Sequence, residues 1–173
     1  MGLDMYLTAN EYVSRTQRDP QGLSYDTPKD NELFYDLAGR HPGWIDTAGY
    51  QGISISYPVA YWRKANAVHN WFVQTVQGGW DECQKSYVSP QNLRDLREAC
   101  QAVLATKNNS LVSVSEVAEE WCLAPLPGFF FGSTEYDEYY YDDLEYTVKM
   151  IDRLENSGVF DNAWTDIEYQ ASW

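Results

Sequence analysis

Leu3, Met5 and Leu7 alternate with Asp4, Tyr6 and Thr8, the period of two that turns one side of a strand into a core and leaves the other side polar. From Asn10 to Gly52 this alternation dissolves among turn formers: Asp19-Pro20-Gln21-Gly22, Thr27-Pro28 and His41-Pro42-Gly43. A short helix over Asn31 to Leu37 is the one regular element expected there. A stretch of that length without regular structure is uncommon unless it is a surface excursion or a binding loop. Ile53 and Ile55 then alternate with Ser54 and Ser56 as a second strand, expected to stop near Pro58 because proline donates no ladder bond.

The helical periods come next. Tyr61, Ala65, Val68, Phe72 and Val76 recur at helical spacing before Gly78-Gly79, which predicts a helix with its apolar stripe in the core. Arg63, Lys64, Asn66 and Asn70 fall on the polar side of that helix, and His69 lies at the edge of the stripe. Ser89-Pro90 supplies an N-cap and a first-turn proline for a helix whose Leu93, Leu96, Cys100 and Val103 share a face. A short helix is expected within Val112 to Trp121. Pro125 and Pro127 then force an extended passage into Gly128-Phe129-Phe130-Phe131-Gly132, read as a strand or a buried loop. Tyr140, Leu144, Val148, Ile151 and Leu154 outline a last helix closed by Asn156-Ser157-Gly158, and Ile167, Tyr169, Ala171 and Trp173 alternate as a terminal strand. These elements predict one α+β domain over residues 1–173. It has a small antiparallel or mixed sheet including both chain ends, about three main helices packed on it, and an irregular excursion at about 10–52.

Composition narrows the class. A chain of 173 residues with 44% hydrophobic positions is long enough to bury about 70% of its unfolded surface. Its three cysteines, Cys83, Cys100 and Cys122, are widely spaced and form no zinc pattern, which fits a reducing compartment. The residues from Met1 to Leu7 lack the basic and apolar regions of a secretion signal, and no apolar run reaches the length of a bilayer. The expectation is a soluble, cytoplasmic protein. The net charge of −14 is unevenly placed: residues 1–50 carry 8 acids and 4 bases, residues 51–107 carry 4 and 6, and residues 108–173 carry 14 and 2. Such a field repels nucleic acid and anionic membrane and draws in basic partners.

Several long segments carry a resemblance. These are Met1-Gly2-Leu3-Asp4-Met5-Tyr6-Leu7, Tyr61-Trp62-Arg63-Lys64-Ala65-Asn66 with His69 and Trp71-Phe72, Gly128 to Tyr140, and the closing Ser172-Trp173. Together they resemble a family of small uncharacterised proteins encoded by bacteriophages and prophages. The resemblance spans nearly the whole chain and implies a phage accessory protein acting on host or defence machinery. It implies no catalytic residues.

The densest candidate site is Glu135 to Glu145, where Glu135, Asp137, Glu138, Asp142, Asp143 and Glu145 mix with Tyr136, Tyr139, Tyr140 and Tyr141 and no base intervenes. As structure, acids at a helix start answer the macrodipole and tyrosines cover the core edge. As function, Glu135, Tyr136, Asp137, Glu138, Tyr139, Tyr140, Asp142, Asp143 and Glu145 form an acidic, aromatic surface for a basic groove on a host or defence protein. Occlusion of that groove, nucleic-acid mimicry included, is the activity expected. The acid spacing matches no Ca²⁺ loop, and no metal or other cofactor is expected. Arg63 and Lys64, the only adjacent basic pair, are expected to pair internally with the acidic segment. The enzymatic alternative is a small carboxylate-dependent hydrolase. It would be glycoside hydrolase-like, with acids such as Glu119, Glu120 and Glu135, or metal-dependent. A cysteine hydrolase using Cys83 or Cys122 with His69 carries less weight. Phosphate loops, dinucleotide fingerprints, the Gly-x-Ser-x-Gly elbow and His-Glu-x-x-His are absent. Two geometries separate the readings: occlusion needs acids pointing outward from a convex surface, whereas catalysis needs carboxylates converging in a cleft with raised pKa values.

Overall fold

The computed structural model describes residues 2–17, 29–40, 49, 51–107, 109 and 111–173. The turns expected at Asp19-Pro20-Gln21-Gly22, Thr27-Pro28 and His41-Pro42-Gly43 lie outside these residues. In chain order the elements are β1 (Asp4–Ser14), β2 (Thr16–Gln17), β3 (Lys29–Asp30), α1 (Glu32–Gly39), β4 (Gly52–Arg63), α2 (Asn66–Thr75), β5 (Ser86–Tyr87), α3 (Pro90–Leu104), α4 (Val114–Glu120), α5 (Glu138–Asn156), a 3-10 turn (Val159–Asp161) and β6 (Thr165–Ser172). They fall into two compact units, residues 1–9 with 57–173, and residues 10–56.

The first unit is built on a four-stranded antiparallel sheet in the order β4-β1-β6-β5. Strands from the two chain ends are therefore neighbours, and the α+β class expected from the sequence is the one observed. Leu3, Met5, Leu7 and Ala9 of β1, Ala60 and Trp62 of β4, and Ile167, Tyr169 and Ala171 of β6 are buried. The alternating Tyr6, Tyr61, Asp166 and Ser172 are exposed, so the period of two has separated a core face from a wet one. On the core face lie α2, buried from Asn66 to Val73, the stripe Leu93, Leu96, Cys100 and Val103 of α3, and Leu144, Ile151 and Leu154 of α5.

Local chemistry explains the helix ends. Ser89 and Asn92 form a reciprocal capping box ahead of α3, with Pro90 in the first turn. Asp137 caps α5 by accepting from the Tyr140 N–H at 3.0 Å, and Gly158, with φ of 78°, takes the left-handed conformation that follows its last turn.

Two expectations need correction. The second strand runs through Pro58 to Arg63, because β4 is an edge strand and an edge tolerates a residue that cannot donate. The helix expected from Tyr61 begins instead at Asn66. Tyr61, Trp62 and Arg63 belong to β4, and Lys64, with φ of 62°, breaks the chain direction between the two elements. The outer edge of β4 is closed by α5: Arg153 donates to the Val59 carbonyl at 2.8 Å, and the Tyr146 hydroxyl accepts from the Tyr61 N–H at 3.4 Å. An edge covered in this way has fewer free backbone groups with which to recruit another strand.

In the second unit, β2 pairs antiparallel with β3 in the register Thr16↔Asp30 and Gln17↔Lys29. Asn31 caps α1, and its amide also donates to the Ser14 carbonyl at 2.8 Å. Val13, Phe34 and Ala38 form a small core with Ile53 and Ile55 packed against it. These residues occupy the stretch expected to be an irregular excursion. No helix among the described residues is long and apolar enough to cross a membrane.

Candidate functional site

α2 organises the site. Residues 65–73, Ala-Asn-Ala-Val-His-Asn-Trp-Phe-Val, include no Asp, Glu, Lys or Arg, so every side of the helix can be buried once its amides and imidazole find partners. Asn66 donates to the carbonyls of Phe131 at 3.0 Å and Ser133 at 2.8 Å, and accepts from the Leu126 N–H at 3.2 Å. Asn70 donates to the Ala124 carbonyl at 2.9 Å. The two asparagines were expected on a polar surface; they fasten the segment 124–133 to the helix instead. Gly128 to Gly132, expected as a strand or a buried loop, is neither: it is a loop at the surface, with Phe129 at its tip 94% exposed, because the Asn66 clamp holds its flanks and leaves the tip outside the core.

His69 is fully buried. Its Nδ1 lies 2.7 Å from the Tyr169 hydroxyl, and its Nε2 lies 2.9 Å from Asp81 Oδ2. The same carboxylate oxygen accepts from the Trp173 indole at 3.0 Å. Both ring nitrogens are thus engaged within the fold, and among the described residues no hydrogen bond joins His69 to Cys83 or Cys122. Cys100 is buried in the core, and that burial raises its thiol pKa far above the ordinary value.

Between the end of β4 with the first turn of α2 on one side, and residues 132–143 on the other, lies a cleft of about 470 Å³. Arg63, Lys64, Ala67 and Val68 line the first side; Gly132, Ser133, Glu135, Asp137, Tyr139, Asp142 and Asp143 line the second. Close approach at one end depends on Gly132, whose φ is 100° and where a Cβ would come within 3.1 Å of both the Lys64 Cβ and its carbonyl oxygen. A glycine there lets the two segments meet without steric clash.

The nine residues expected to bind a partner separate into three groups. Tyr140 is buried, and its hydroxyl donates to the Leu123 carbonyl at 3.1 Å. Tyr136 packs edge-on against Tyr140 and is half-buried. Burial raises the pKa of both phenols, most at Tyr140. Glu145 is half-buried on α5 beside Lys107 and Lys149, each at 3.6 Å. These three residues serve the fold. Glu135, Asp137, Tyr139, Asp142 and Asp143 border the cleft, with Glu135, Tyr139 and Asp142 open to solvent and Asp137 and Asp143 half-buried. Glu138 alone stays on the open surface, outside the cleft lining.

Arg63 and Lys64 line the same cleft as four of these acids, yet neither makes an ion pair among the described residues. The expected pairing is therefore replaced by shared enclosure without contact. The acidic helix takes its ionic partners from α3 and the turn after it. Arg94 meets Glu155 at 2.6 Å, Arg97 meets Asp152 at 3.0 Å, and Lys107 meets Glu145. Arg94 and Arg97 hold the Glu155 carboxyl below its ordinary pKa. Asp143 behaves in the opposite sense. Half-buried on α5, it is pushed up to about 7, first by desolvation and then by the neighbouring carboxylates of Asp142 and Asp137. A carboxyl that holds its proton near neutrality, set in a cleft, can donate or accept one.

Among the acids named for glycoside hydrolysis, Glu135 reaches the cleft, while Glu119 and Glu120 sit on the exposed side of α4. Among the described residues, no three His, Cys, Asp or Glu side chains are grouped so as to hold a metal ion. Sequence reasoning missed the first turn of α2 and the clamp at Asn66. The available signal was a helix whose polar residues include no Asp, Glu, Lys or Arg. Neither a family model, nor a curated protein, nor a solved structure matches the chain.

Proposed function

We propose that the cleft is a small-molecule site and that Asp143 is its proton-transferring group, making the chain a small carboxylate-dependent enzyme. The observation that carries this reading is the setting of Asp143: recessed in a cleft, beside two other carboxylates, with its pKa raised to about 7. Catalytic acids are produced by this combination of desolvation and like charge. The four acids that line the cleft face a bounded space, whereas occlusion of a flat or concave basic surface calls for a convex acidic one.

The test is a heteronuclear NMR screen of the chain against amino acids, oligosaccharides and nucleotides, repeated on Asp143→Asn. Support would be a ligand that moves the amides of Ala67, Gly132 and Asp142 and also shifts the carboxyl titration of Asp143. A screen in which no ligand moves those amides would remove the reading.

A second reading retains a host or defence protein with a basic surface as the partner. It is favoured by one observation: Glu138 and Tyr139 are exposed next to the cleft, Tyr139 to 79%, so an arginine or lysine presented by another protein could enter the cleft from that side. Affinity capture from a bacterial lysate, with wild type against Glu138→Gln/Tyr139→Ala, separates this reading from the first. It predicts a specific protein that the variant fails to retain.

A further inference from the structure

The cleft encloses charges of both signs that do not meet. Arg63 ends β4, and Lys64 is fixed at its turn by a φ of 62°, by its N–H donating to the Leu3 carbonyl at 2.7 Å, and by close approach to Gly132. Across from them stand the carboxylates of Glu135 and Asp142, with the Asp143 carboxyl, raised in pKa, beside Asp142, and among the described residues none of these five side chains forms an ion pair. Opposite charges that share a cleft attract one another, yet these stay beyond ion-pair distance. The anion-seeking side has further capacity. No side chain caps α2, and the N–H groups of Ala67 and Val68, which line the cleft, have no acceptor among the described residues. Both residues are buried, so these N–H groups are recessed at the cleft wall, and first-turn N–H groups without an acceptor beside two cations complement a carboxylate.

We propose that the cleft takes a zwitterion, an α-amino acid or short peptide with free ends, its carboxylate at Arg63, Lys64 and the first turn of α2 and its ammonium at Asp142 and Asp143. This rests on the reading of the cleft as a small-molecule site. A ligand with both charges satisfies both sides at once. A polyanion such as a nucleotide meets the cleft's carboxylates, and a plain amine leaves the two cations unanswered. A volume of about 470 Å³ is within the range of pockets that enclose ligands of tripeptide size.

The probes are trialanine, its N-acetyl form and its C-terminal amide, titrated into the isotope-labelled chain and followed by the amides of Ala67, Val68, Gly132 and Asp142, with maltotriose as an uncharged comparison. Trialanine is expected to bind about ten-fold or more tighter than either capped form, because each cap removes one charge-assisted contact. Arg63→Gln should reduce the preference for the free carboxylate over the amide by several-fold, and Asp142→Asn the preference for the free amine over the acetyl form. Both substitutions are at exposed positions, and well-dispersed spectra verify that the variants fold. Equal affinity for capped and uncapped trialanine overturns the inference. If maltotriose moves the cleft amides and trialanine does not, the zwitterion inference falls and the small-molecule site stands; if neither moves them, both fall.

Discussion

Asn66 and Asp143 line one cleft and depend on it in different ways. Asn66 uses its whole amide inside the protein, donating twice and accepting once to hold residues 126–133 in place. Asn66→Ala leaves two carbonyls and one N–H without their partner in a part-buried setting, and the expected loss is about 1–3 kcal/mol, read from urea unfolding. Asp143 holds a proton that the unfolded chain releases. Its carboxyl has an ordinary pKa near 3.8 and a native one of about 7, so the proton favours the native state at low pH and this contribution is lost as the pH rises through 7. An asparagine in its place does not titrate and carries no such dependence. Asp143→Asn should therefore match the wild type near pH 4 and exceed it by about 1–2 kcal/mol at pH 8, partial solvent exposure limiting the gain. A stability difference that does not change between pH 4 and pH 8 would show that Asp143 is not held protonated.

Among the elements, β4 shows how a sequence signal can serve two structures. Tyr61 and Ala65 fit a helical stripe with Val68 and Phe72, yet Tyr61 and Trp62 also continue the alternation of a strand, exposed and buried in turn. The strand prevails because β1 offers it a ladder and α5 covers its free edge through Arg153 and Tyr146. Removing that cover by Arg153→Met with Tyr146→Phe keeps the apolar bulk and frees a carbonyl and an N–H at the edge. The double variant should lose about 1–2 kcal/mol and associate with itself as concentration rises. Sedimentation velocity checks this, and a strictly monomeric double variant would assign protection of the edge to something else.

For the whole molecule, the uneven charge is matched by the way the helices pack. The middle of the chain carries more bases than acids and the last third carries 14 acids to 2 bases. The structure joins them through Arg94, Arg97 and Lys107 against α5. These pairs answer only a small part of a net charge of −14. Salt weakens the half-exposed pairs by tenths of a kcal/mol each but screens the repulsion summed over the surface. Repulsion dominates here, so raising NaCl from about 20 to about 500 mM should lift the melting temperature by a few degrees in calorimetry. A fall in melting temperature would mean that the α3–α5 pairs outweigh the overall repulsion.

What the sequence determines by itself is local. Alternation at Leu3-Met5-Leu7 and Ile167-Tyr169-Ala171, the capping signal at Ser89-Pro90, and the stripe from Tyr140 to Leu154 each describe an element through neighbours a few positions away, and each became the expected strand or helix. β5 was missed because two residues are too few to display a period. The acidic segment was legible as a candidate site, but which acids face the cleft was not, and neither was the separation of Arg63 and Lys64 from them. Those features depend on residues such as Asn66 and Ser133, which are 67 positions apart and joined by one hydrogen bond. A side chain's burial, its partner and its pKa are set by what the fold brings against it. Only the tertiary structure could therefore place Glu145 on α5 beside Lys107 and bring Asp143 into a cleft with its carboxyl pKa raised.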